Sequence, residues 1–475
     1  MVVGRLTEQI GRGLGAAGET LGDAVSSERV VRLGVTGLAR AGKTVFITSL
    51  VANLLNRGRM PGLRAEARGA IAGVWLQPQP DDTVPRFDYE THLAALTGDD
   101  PRWPSSTRAV SELRLSFRVA RQGIMGGFRG PRRVHLDIVD YPGEWLLDLG
   151  LMEKSYDAWS REVLERIAPR PAAAPYLAAL QGLDPSQPFD EGLAQRLAAT
   201  FTDYLSAARQ AGFFDCTPGR FLMPGELAGS PVLTFAPLPA PDRPRRGSLH
   251  AELERRYNAY RREVVRPFFR DHFARIDRQV VLVDALSAIH SGPQAVEDLR
   301  RAMAEILGSF RPGRNAFLTR LLQGRRVERI LFAASKADHL HHSQHPRLTA
   351  ILEALLQEAR SRADFAGART GAMALAAVRA TVEETLTHQG RSVDAVRGLL
   401  LETGRQAALY PGALPEDPAR LLSPAREGAE RWLDADFRVM NFAPARMTLR
   451  PGEGPPHIRL DRAADFLFGD RLLGE

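Results

Sequence analysis

The sequence predicts an α/β protein in which a mainly parallel β-sheet lies between layers of helices. Two patterns predict this fold class. Apolar runs of strand length alternate with helical patterns along the chain, as in units that place parallel strands side by side. A glycine-rich loop joins the first of these runs directly to a helix. Even a long apolar run, such as 280–288, is shorter than the ~20 residues that a membrane-spanning helix needs.

The composition indicates an ordinary folded protein. The chain has 475 residues, 44% hydrophobic and 25% charged, enough for two domains or for one large domain with insertions. The net charge is +7, but basic residues are scattered among acidic ones, which favours a solvated surface over nucleic-acid binding. The single cysteine, Cys216, excludes an internal disulfide and a thiolate-rich metal site. Because the N-terminus lacks the apolar core of a secretory signal, we expect a cytoplasmic location.

The first part of the chain predicts a strand, a helix and a hairpin in that order. An apolar strand begins at residue 30, and apolar residues recur with helical spacing over 45–55. Five prolines between 78 and 104 predict a loop-rich stretch over 60–107. The alternating S-E-L-R-L-S-F-R-V and the apolar V-H-L-D-I-V-D then predict a β-hairpin over 112–140, whose first strand is the antiparallel edge strand of the sheet.

Strand patterns are missing over 150–276 and return afterwards. Apolar runs at 279–286 and 329–334 predict two strands, each followed by a helix, and the run at 372–378 predicts a last core strand. The remaining residues predict turns, with one helix near 461–468.

These elements predict one α/β domain interrupted by an insertion. Residues 30–149 and 277–385 form its two parts, and residues 150–276 form a mainly helical insertion between them. An amphipathic helix (1–29) precedes the domain, and a C-terminal extension (386–475) packs on it.

The glycine-rich loop is the first candidate site. Residues 37–44 read G-L-A-R-A-G-K-T, which is the spacing of a phosphate-binding loop, although a purely structural turn is the alternative. The lysine reaches the outer phosphates and the threonine hydroxyl ligates Mg²⁺. Lysine occurs at only three positions in this arginine-rich chain, and one is here. The predicted nucleotide contacts are Gly37, Leu38, Ala39, Arg40, Ala41, Gly42, Lys43, Thr44 and Val45.

A second motif, D-Y-P-G at 140–143, ends the second hairpin strand. Asp140 is predicted to hold Mg²⁺ through water, and the Gly143 N–H to meet the terminal phosphate. An ordinary strand-to-loop turn is the alternative. Thr107, just ahead of the hairpin, is predicted to complete the Mg²⁺ ligands beside Thr44, with Ser106 or a simple polar cap as rivals.

A third motif, S-K-A-D at 335–338, follows a buried strand. The carboxylate of Asp338 can accept both N1–H and the 2-amino group of guanine, a donor pair that adenine lacks, while the Lys336 stem lies over the base. Ser335 completes the motif, and backbone N–H groups near Ala377 and Val378 are predicted to meet the guanine oxygen. The predicted ligands are therefore GTP or GDP and Mg²⁺. If S-K-A-D is a coincidence, an ATPase is the alternative.

The order of these motifs resembles the GTPase branch of the P-loop NTPases, with Ser335 departing from the N/T-K-x-D pattern. Longer stretches, among them L-D-I-V-D-Y-P-G-E-W-L-L-D-L and H-I-R-L-D-R-A-A-D-F-L-F-G-D, resemble the YcjX family of bacterial P-loop proteins. The resemblance runs from about residue 30 to the C-terminus. It implies a P-loop NTPase fold of the GTPase-like type, GTP binding and hydrolysis, and a link to stress responses.

Catalysis is expected to be slow. Small GTPases place a water-positioning glutamine after D-x-x-G, and here Glu144 takes that place with a charge that repels the γ-phosphate. The loop is also similar to those of guanylate-binding proteins and atlastins, which implies that Arg40 is an internal arginine finger, ordered by a partner or a second copy. A solvent-facing arginine is the alternative. The catalytic candidates are Arg40, Lys43, Thr107 and Glu144.

The biological setting remains open at this stage. Three functions are considered: a slow GTPase switch, an ATPase and a catalytically silent scaffold. The expected interactions are with guanine nucleotide, with a protein partner (membrane-associated or not) and with a second copy of the chain in a nucleotide-dependent homodimer. Peripheral binding at the inner membrane through the apolar face of residues 6–21 is the alternative to a purely cytoplasmic location. His341 and His345 have metal-like spacing, but a polar loop leading into the next helix is favoured.

Overall fold

The computed structural model describes residues 28–37, 41–105, 109–120, 131–214, 216–243, 245–309, 327–365, 368–388, 390–432 and 437–474. Its centre is a seven-stranded sheet, whose strands are β1 (Arg29–Gly37), β2 (Ile71–Gln77), β3 (Ser111–Val119), β4 (Arg132–Asp140), β5 (Arg278–Val283), β6 (Arg329–Ala334) and β7 (Arg369–Ala374). The strand order is β2-β3-β4-β1-β5-β6-β7. β4, β1, β5, β6 and β7 run parallel, whereas β3 is antiparallel to both of its neighbours. The predicted mainly parallel sheet and the β3–β4 hairpin are confirmed.

The edge of the sheet differs from the prediction. β2 pairs with the outer side of β3, so the hairpin strand lies next to the edge and not at it. The prolines of this stretch predict loops, but the first of them, Pro78, lies directly after the end of β2. Most of β2 is only half-buried, so its residues lack the clear alternation that marks a strand in sequence.

Helices cover both faces of the sheet. They are α1 (Lys43–Leu55), α2 (Arg64–Ala67), α3 (Tyr89–Thr97), α4 (Glu144–Leu147), α5 (Tyr156–Ile167), α6 (Ala174–Leu180), α7 (Glu191–Gln210), α8 (Gly219–Leu222), α9 (Leu249–Tyr260), α10 (Arg266–Asp271), α11 (Ala285–Ser291), α12 (Pro293–Ser309), α13 (His345–Phe365), α14 (Ala419–Arg426), α15 (Leu460–Ala464) and α16 (Asp470–Leu473). π-helical turns at Arg261–Val265 and Asp465–Gly469 join α9 to α10 and α15 to α16. None of the helices in the described ranges is long and apolar enough to cross a bilayer.

The side chains of the parallel strands alternate between two hydrophobic cores. In β5, Val281 and Val283 pack with the helices of the middle of the chain, while Val280 and Leu282 pack on the other face with α1 and the C-terminal helices. The described part of 150–276 contains only helices and irregular segments, and its apolar residues belong to the same core as those of α11, α12 and α13. The segment 150–276 is therefore continuous with one face of the sheet.

The C-terminal segment contains more structure than its sequence indicates. β8 (Val382–His388), β9 (Arg391–Leu399) and β10 (Gln406–Leu409) form a small antiparallel sheet, where the sequence analysis expected turns. Val382 and Leu399 are exposed, so this sheet lacks the strong apolar pattern of a buried strand. The domain boundary expected at 385 falls inside β8. The helix expected near 461–468 is part of the α15–α16 segment, which packs on the seven-stranded sheet. The ring centroids of Phe468 and Phe117 lie 6.4 Å apart there.

Candidate nucleotide-binding site

A cavity of about 410 Å³ opens at the carboxyl ends of the parallel strands. It is lined by the start of α1, by the loop after β6 and by the loop after β7, which are far apart in sequence. Ligands of open α/β sheets bind at this edge. Ten of the predicted contacts line the cavity: Ala41, Gly42, Lys43, Thr44, Val45, Ser335, Lys336, Asp338, Ala377 and Val378.

The start of α1 forms one end of the cavity. Gly42 precedes the helix with φ of 84°, a conformation that suits glycine, and no described atom lies within 4 Å of where a side chain would begin. The first N–H groups of α1 lack helical partners, and the positive end of the helix dipole attracts anions. The Lys43 ammonium donates to the carbonyl of Gly37 at 3.3 Å, and the Thr44 hydroxyl donates to the carbonyl of Ser105 at 3.4 Å. This end therefore suits phosphate.

Two of the three predicted magnesium ligands, Thr44 and Asp140, are among the described residues. Thr44 lines the cavity, and Asp140 is buried at the end of β4, where it pairs in register with Val35 of β1. Hydroxyl, carboxylate and carbonyl oxygens are the donors that Mg²⁺ prefers, so these groups fit the ion chemically. Asp140 and Gly143 are not among the described residues that line the cavity. Leu38, Ala39, Arg40, Ser106 and Thr107 lie outside the described residues.

The S-K-A-D loop forms the other end of the cavity. Asp338 is buried, and its Oδ2 accepts the N–H of Ala380 at 2.9 Å. The Lys336 ammonium lies 2.5 Å from Oδ2 of Asp284. Asp284 directly follows β5 and caps α11 by accepting the N–H of Ser287. Asp284 was not among the predicted site residues, although its position directly after the apolar run Q-V-V-L-V is a signal in the sequence.

The loop after β7 is held by α1 and by a distant C-terminal segment. The strand predicted to reach residue 378 ends at Ala374, so Ala377 and Val378 belong to a loop. Ser49 of α1 donates to the Ala377 carbonyl at 2.5 Å, and Asn53 donates at 3.0 Å to the carbonyl of Pro455. Both side chains are fully buried, and their donated hydrogen bonds account for polar residues on this largely apolar helix. Sequence spacing gave no signal for this network.

An apolar wall closes the cavity beside Asp338. The indole N–H of Trp103 donates to the carbonyl of Phe442 at 2.7 Å, and the Phe442 ring meets His339 edge-on with centroids 5.2 Å apart. A side chain at Gly398 would begin 2.5 Å from the Phe442 ring, so β9 passes directly behind it. Burial lowers the pKa of His339 below its ordinary value, against the opposing charge of Asp338. The wall is therefore neutral near pH 7, and its residues carry no sequence motif.

The segment after D-Y-P-G turns away into the helical layer. Glu144 is buried, and its Oε1 lies 3.4 Å from the guanidinium of Arg209 on α7. The guanidinium of Arg220 covers the Trp145 ring at 3.2 Å from its centroid. The structure thus places Glu144, a predicted catalytic residue, against α7 and outside the set of described residues that line the cavity.

Asp148 anchors the same segment deeper in the helical layer. Its carboxylate accepts the N–H of Gly219 at 2.8 Å and the hydroxyl of Tyr260 at 2.5 Å. Burial raises the pKa of Asp148 to about 7, although both hydrogen bonds act in the opposite direction. A carboxyl group in this position is half-protonated near neutral pH.

The sheet order, the start of α1 and the two loops define an α/β protein of GTPase-like fold with a cavity at the carboxyl edge of the sheet. The chain belongs to the YcjX-like family: the family profile, described as YcjX-like family, DUF463, matches residues 31–472. It is 39% identical over 459 residues to a protein of Escherichia coli (strain K12) named Ras-like GTPase YcjX, covering 94% of this chain and 96% of that relative. A relative of the same name from Shewanella oneidensis (strain MR-1) is 37% identical over 473 residues, with the same coverage of 94% and 96%. The resemblance noted in the sequence is confirmed.

Proposed function

We propose that this protein binds GTP and GDP with Mg²⁺ in the cavity, hydrolyses GTP slowly to GDP and phosphate, and acts as a nucleotide-dependent switch. One observation carries the proposal: the same cavity is lined by Lys43 and Thr44 at one end and by Lys336 and Asp338 at the other. Its volume of about 410 Å³ lies within the range of small-ligand pockets, roughly 300–1,000 Å³. The printed name of both relatives, Ras-like GTPase, supports it.

The phosphate end works through groups that are already in place. The α1 N–H groups offer donors to phosphate oxygens, and the Lys43 ammonium exchanges the Gly37 carbonyl for a phosphate oxygen when nucleotide enters. Mg²⁺ supplies positive charge that neutralises the outer phosphates. We propose Thr44, Asp140 and Thr107 as the residues that hold the ion, directly or through water.

The base end supplies selectivity. The Asp338 carboxylate offers acceptors to the N1–H and 2-amino group of guanine, and adenine cannot donate this pair. The Lys336 stem covers one face of the base and is steadied by its contact with Asp284. The apolar wall of Trp103 and Phe442 bounds the same space.

Slow hydrolysis follows from the position of Glu144. A glutamine that orients water is absent at this place in the sequence, and the Glu144 carboxylate is paired with Arg209 in the helical layer. We propose that Arg40 acts as an internal finger when a protein partner or a second copy of the chain orders the loop. The resemblance to the family supports a role in a bacterial stress-related process, in the cytoplasm or at the inner membrane surface.

Competition binding tests the guanine assignment. A fluorescent guanine nucleotide is titrated with Mg²⁺ and then displaced with GDP or ADP. GDP should displace it at least ~10²-fold better, since two hydrogen bonds to a charged group are worth about 3 kcal/mol or more. Asp338→Asn should remove that preference, while Asp100→Asn, an exposed control, should keep it.

The other outcomes identify the rival functions. Equal displacement by ADP would show that S-K-A-D does not read guanine, and the ATPase reading would replace this proposal. Selective GDP binding without GTP turnover at any protein concentration would leave a catalytically silent scaffold.

A further inference from the structure

A second cluster of ligand-type side chains lies where the loop after Asp338 meets the small C-terminal sheet. His341 and His342 lie just before α13, and Glu383 lies on β8. One nitrogen of each histidine and one oxygen of the glutamate all lie within 4.8 Å of one another. The function proposed above uses none of these three residues.

The distances suit a small cation at the centre. His342 Nδ1 lies 2.8 Å from Glu383 Oε2, and His341 Nε2 lies 3.7 Å from the same oxygen. Donor atoms at about 2.0–2.2 Å from a tetrahedral metal are about 3.3–3.6 Å apart. The two observed distances lie on either side of this range, so His342 Nδ1 and Glu383 Oε2 would have to separate by about half an ångström to share a metal.

Ser343 and Asp394 contact the nitrogen of His341 that faces away from Glu383. His341 Nδ1 lies 2.9 Å from the Ser343 hydroxyl and 3.4 Å from Oδ2 of Asp394 on β9. Nδ1 also accepts the N–H of Ser343 at 3.3 Å, so its role depends on the tautomer of the ring. In the tautomer protonated at Nδ1, the ring donates to the oxygens of Ser343 and Asp394, and the Nε2 lone pair is available to a cation. Metal-ligating histidines commonly have this arrangement, with a carboxylate or other acceptor on the second nitrogen. The His341 side chain is only 13% exposed, so its ring is held in place.

A neighbouring cation leaves one carboxylate oxygen available. The Arg379 guanidinium lies 3.6 Å from Glu383 Oε1, on the opposite oxygen from the one that faces the histidines. His345, which the sequence analysis considered as a metal ligand, bonds instead to the carbonyls of Ala337 and Leu340. The cluster therefore joins His341, His342 and Glu383 without His345.

We propose that His341, His342 and Glu383 bind a divalent cation of the Zn²⁺ type, with Asp394 orienting His341 and an exchangeable water in the fourth position. Two imidazoles and one carboxylate suit Zn²⁺ and disfavour Mg²⁺, which prefers oxygen ligands. The bound ion joins the loop that carries Asp338 to β8. Asp338 already accepts the N–H of Ala380, just before β8. The ion would therefore be a second link between the loop that carries Asp338 and β8.

Zinc titration of the full chain tests the site. Protein stripped with a chelator and free of nucleotide is titrated with Zn²⁺ against a chromophoric competitor. We expect one saturable site per chain. His342→Ala and Glu383→Gln should each weaken it at least ~10-fold, and Asp394→Asn should weaken it about 10-fold as orienting partners do. His290→Ala, which removes an exposed histidine of α11, should leave the affinity unchanged.

X-ray absorption at the zinc edge gives an independent reading. Two imidazole nitrogens are expected in the wild type and one in His342→Ala. Glu383→Gln preserves side-chain shape, and its thermal unfolding midpoint without zinc confirms that it folds. The proposal is overturned if zinc binds only weakly without saturation, if the affinity survives in the His341→Ala/His342→Ala double variant, or if His290→Ala weakens binding equally.

Discussion

The nucleotide cavity and the helical layer behind it hold charged groups in different ways. In the cavity, Lys43 and the buried Asp338 line open space and bond to backbone groups. In the helical layer, Glu144 and Asp148 are buried and meet side chains from α7 and α9. Both sets belong to recognisable motifs or follow them directly. Motif letters therefore predict a role only where the surrounding fold leaves space for a ligand.

The comparison also indicates where a nucleotide signal would travel. Asp140 ends β4 beside β1, and eight residues later Asp148 is fastened to Gly219 and Tyr260. Under the proposed function, a change in the D-Y-P-G loop on GTP hydrolysis would act on the helical layer through this anchored segment. Such coupling needs two discrete arrangements of a packed element, and this anchored segment is the candidate.

Removing the positive charge at the phosphate end of the cavity should have the largest effect. Lys43→Ala should weaken guanine-nucleotide binding about 10²-fold or more, because a charge-assisted bond to phosphate is worth about 1.5–3 kcal/mol and an ammonium makes more than one. The measurement is the fluorescent titration described above. Lys154→Ala is the matched control, since Lys154 pairs with Glu162 in the helical layer. Unchanged affinity in Lys43→Ala would contradict the phosphate assignment.

The helical layer is tested through Asp148 and pH. Its folded pKa of about 7 exceeds the model-compound value of 3.8, so the folded state holds the proton more tightly than the unfolded state. The free energy of unfolding should therefore fall by about 2 kcal/mol between pH 5 and pH 7 through this group. Well below pH 4 the Asp148 carboxyl group is protonated in both the folded and the unfolded state, so it no longer makes the free energy of unfolding depend on pH.

Urea unfolding of the wild type and Asp148→Asn at both pH values measures the effect. The variant should lack the pH-dependent contribution of Asp148. The difference in the free energy of unfolding between the two proteins should therefore change by about 2 kcal/mol between pH 5 and pH 7. Nucleotide affinity at constant pH should change little. Parallel pH profiles for the two proteins would show that Asp148 titrates normally.

The apolar wall should have a smaller effect on the cavity. Phe442→Ala should weaken guanine-nucleotide binding about 10-fold, since an aromatic contact with a base is worth about 1–3 kcal/mol. Gly398→Ala should weaken it in the same direction, because the new methyl would displace the Phe442 ring. Gly73→Ala on β2 is the control, where no described atom crowds the added methyl within 4 Å. Equal affinities for all variants would remove the wall from the site.

The smallest expected effect concerns Asp284. Asp284→Asn keeps the helix cap, because asparagine caps as well as aspartate, but it removes the charge opposite Lys336. Guanine-nucleotide affinity should fall about fivefold, as expected for a partly exposed ion pair worth about 1 kcal/mol. The preference for GDP over ADP should persist, since Asp338 is untouched. Loss of that preference would instead assign base reading to the Asp284–Lys336 pair.

Short-range chemistry was the predictable part of this protein. The glycine before α1, the apolar runs of β1, β5 and β6, and the hairpin of β3 and β4 all follow from local spacing, and the structure has them. The same holds for the convergence of the glycine-rich loop with S-K-A-D, because parallel strands bring their carboxyl ends to one edge. β2 and the small C-terminal sheet were missed because they are half-exposed and bury too little to leave a periodic pattern.

The fold class, the family and the residues at each end of the nucleotide cavity could be predicted from the amino-acid sequence, because each depends on residues close together in the chain. The residues between and around those ends come together only through tertiary packing. Phe442 reaches Trp103 across more than 300 residues, Asn53 reaches Pro455, and Glu144 turns away to Arg209. Such contacts arise from the packing of whole layers, which lowers the free energy of the complete chain and leaves no periodic trace in any one segment.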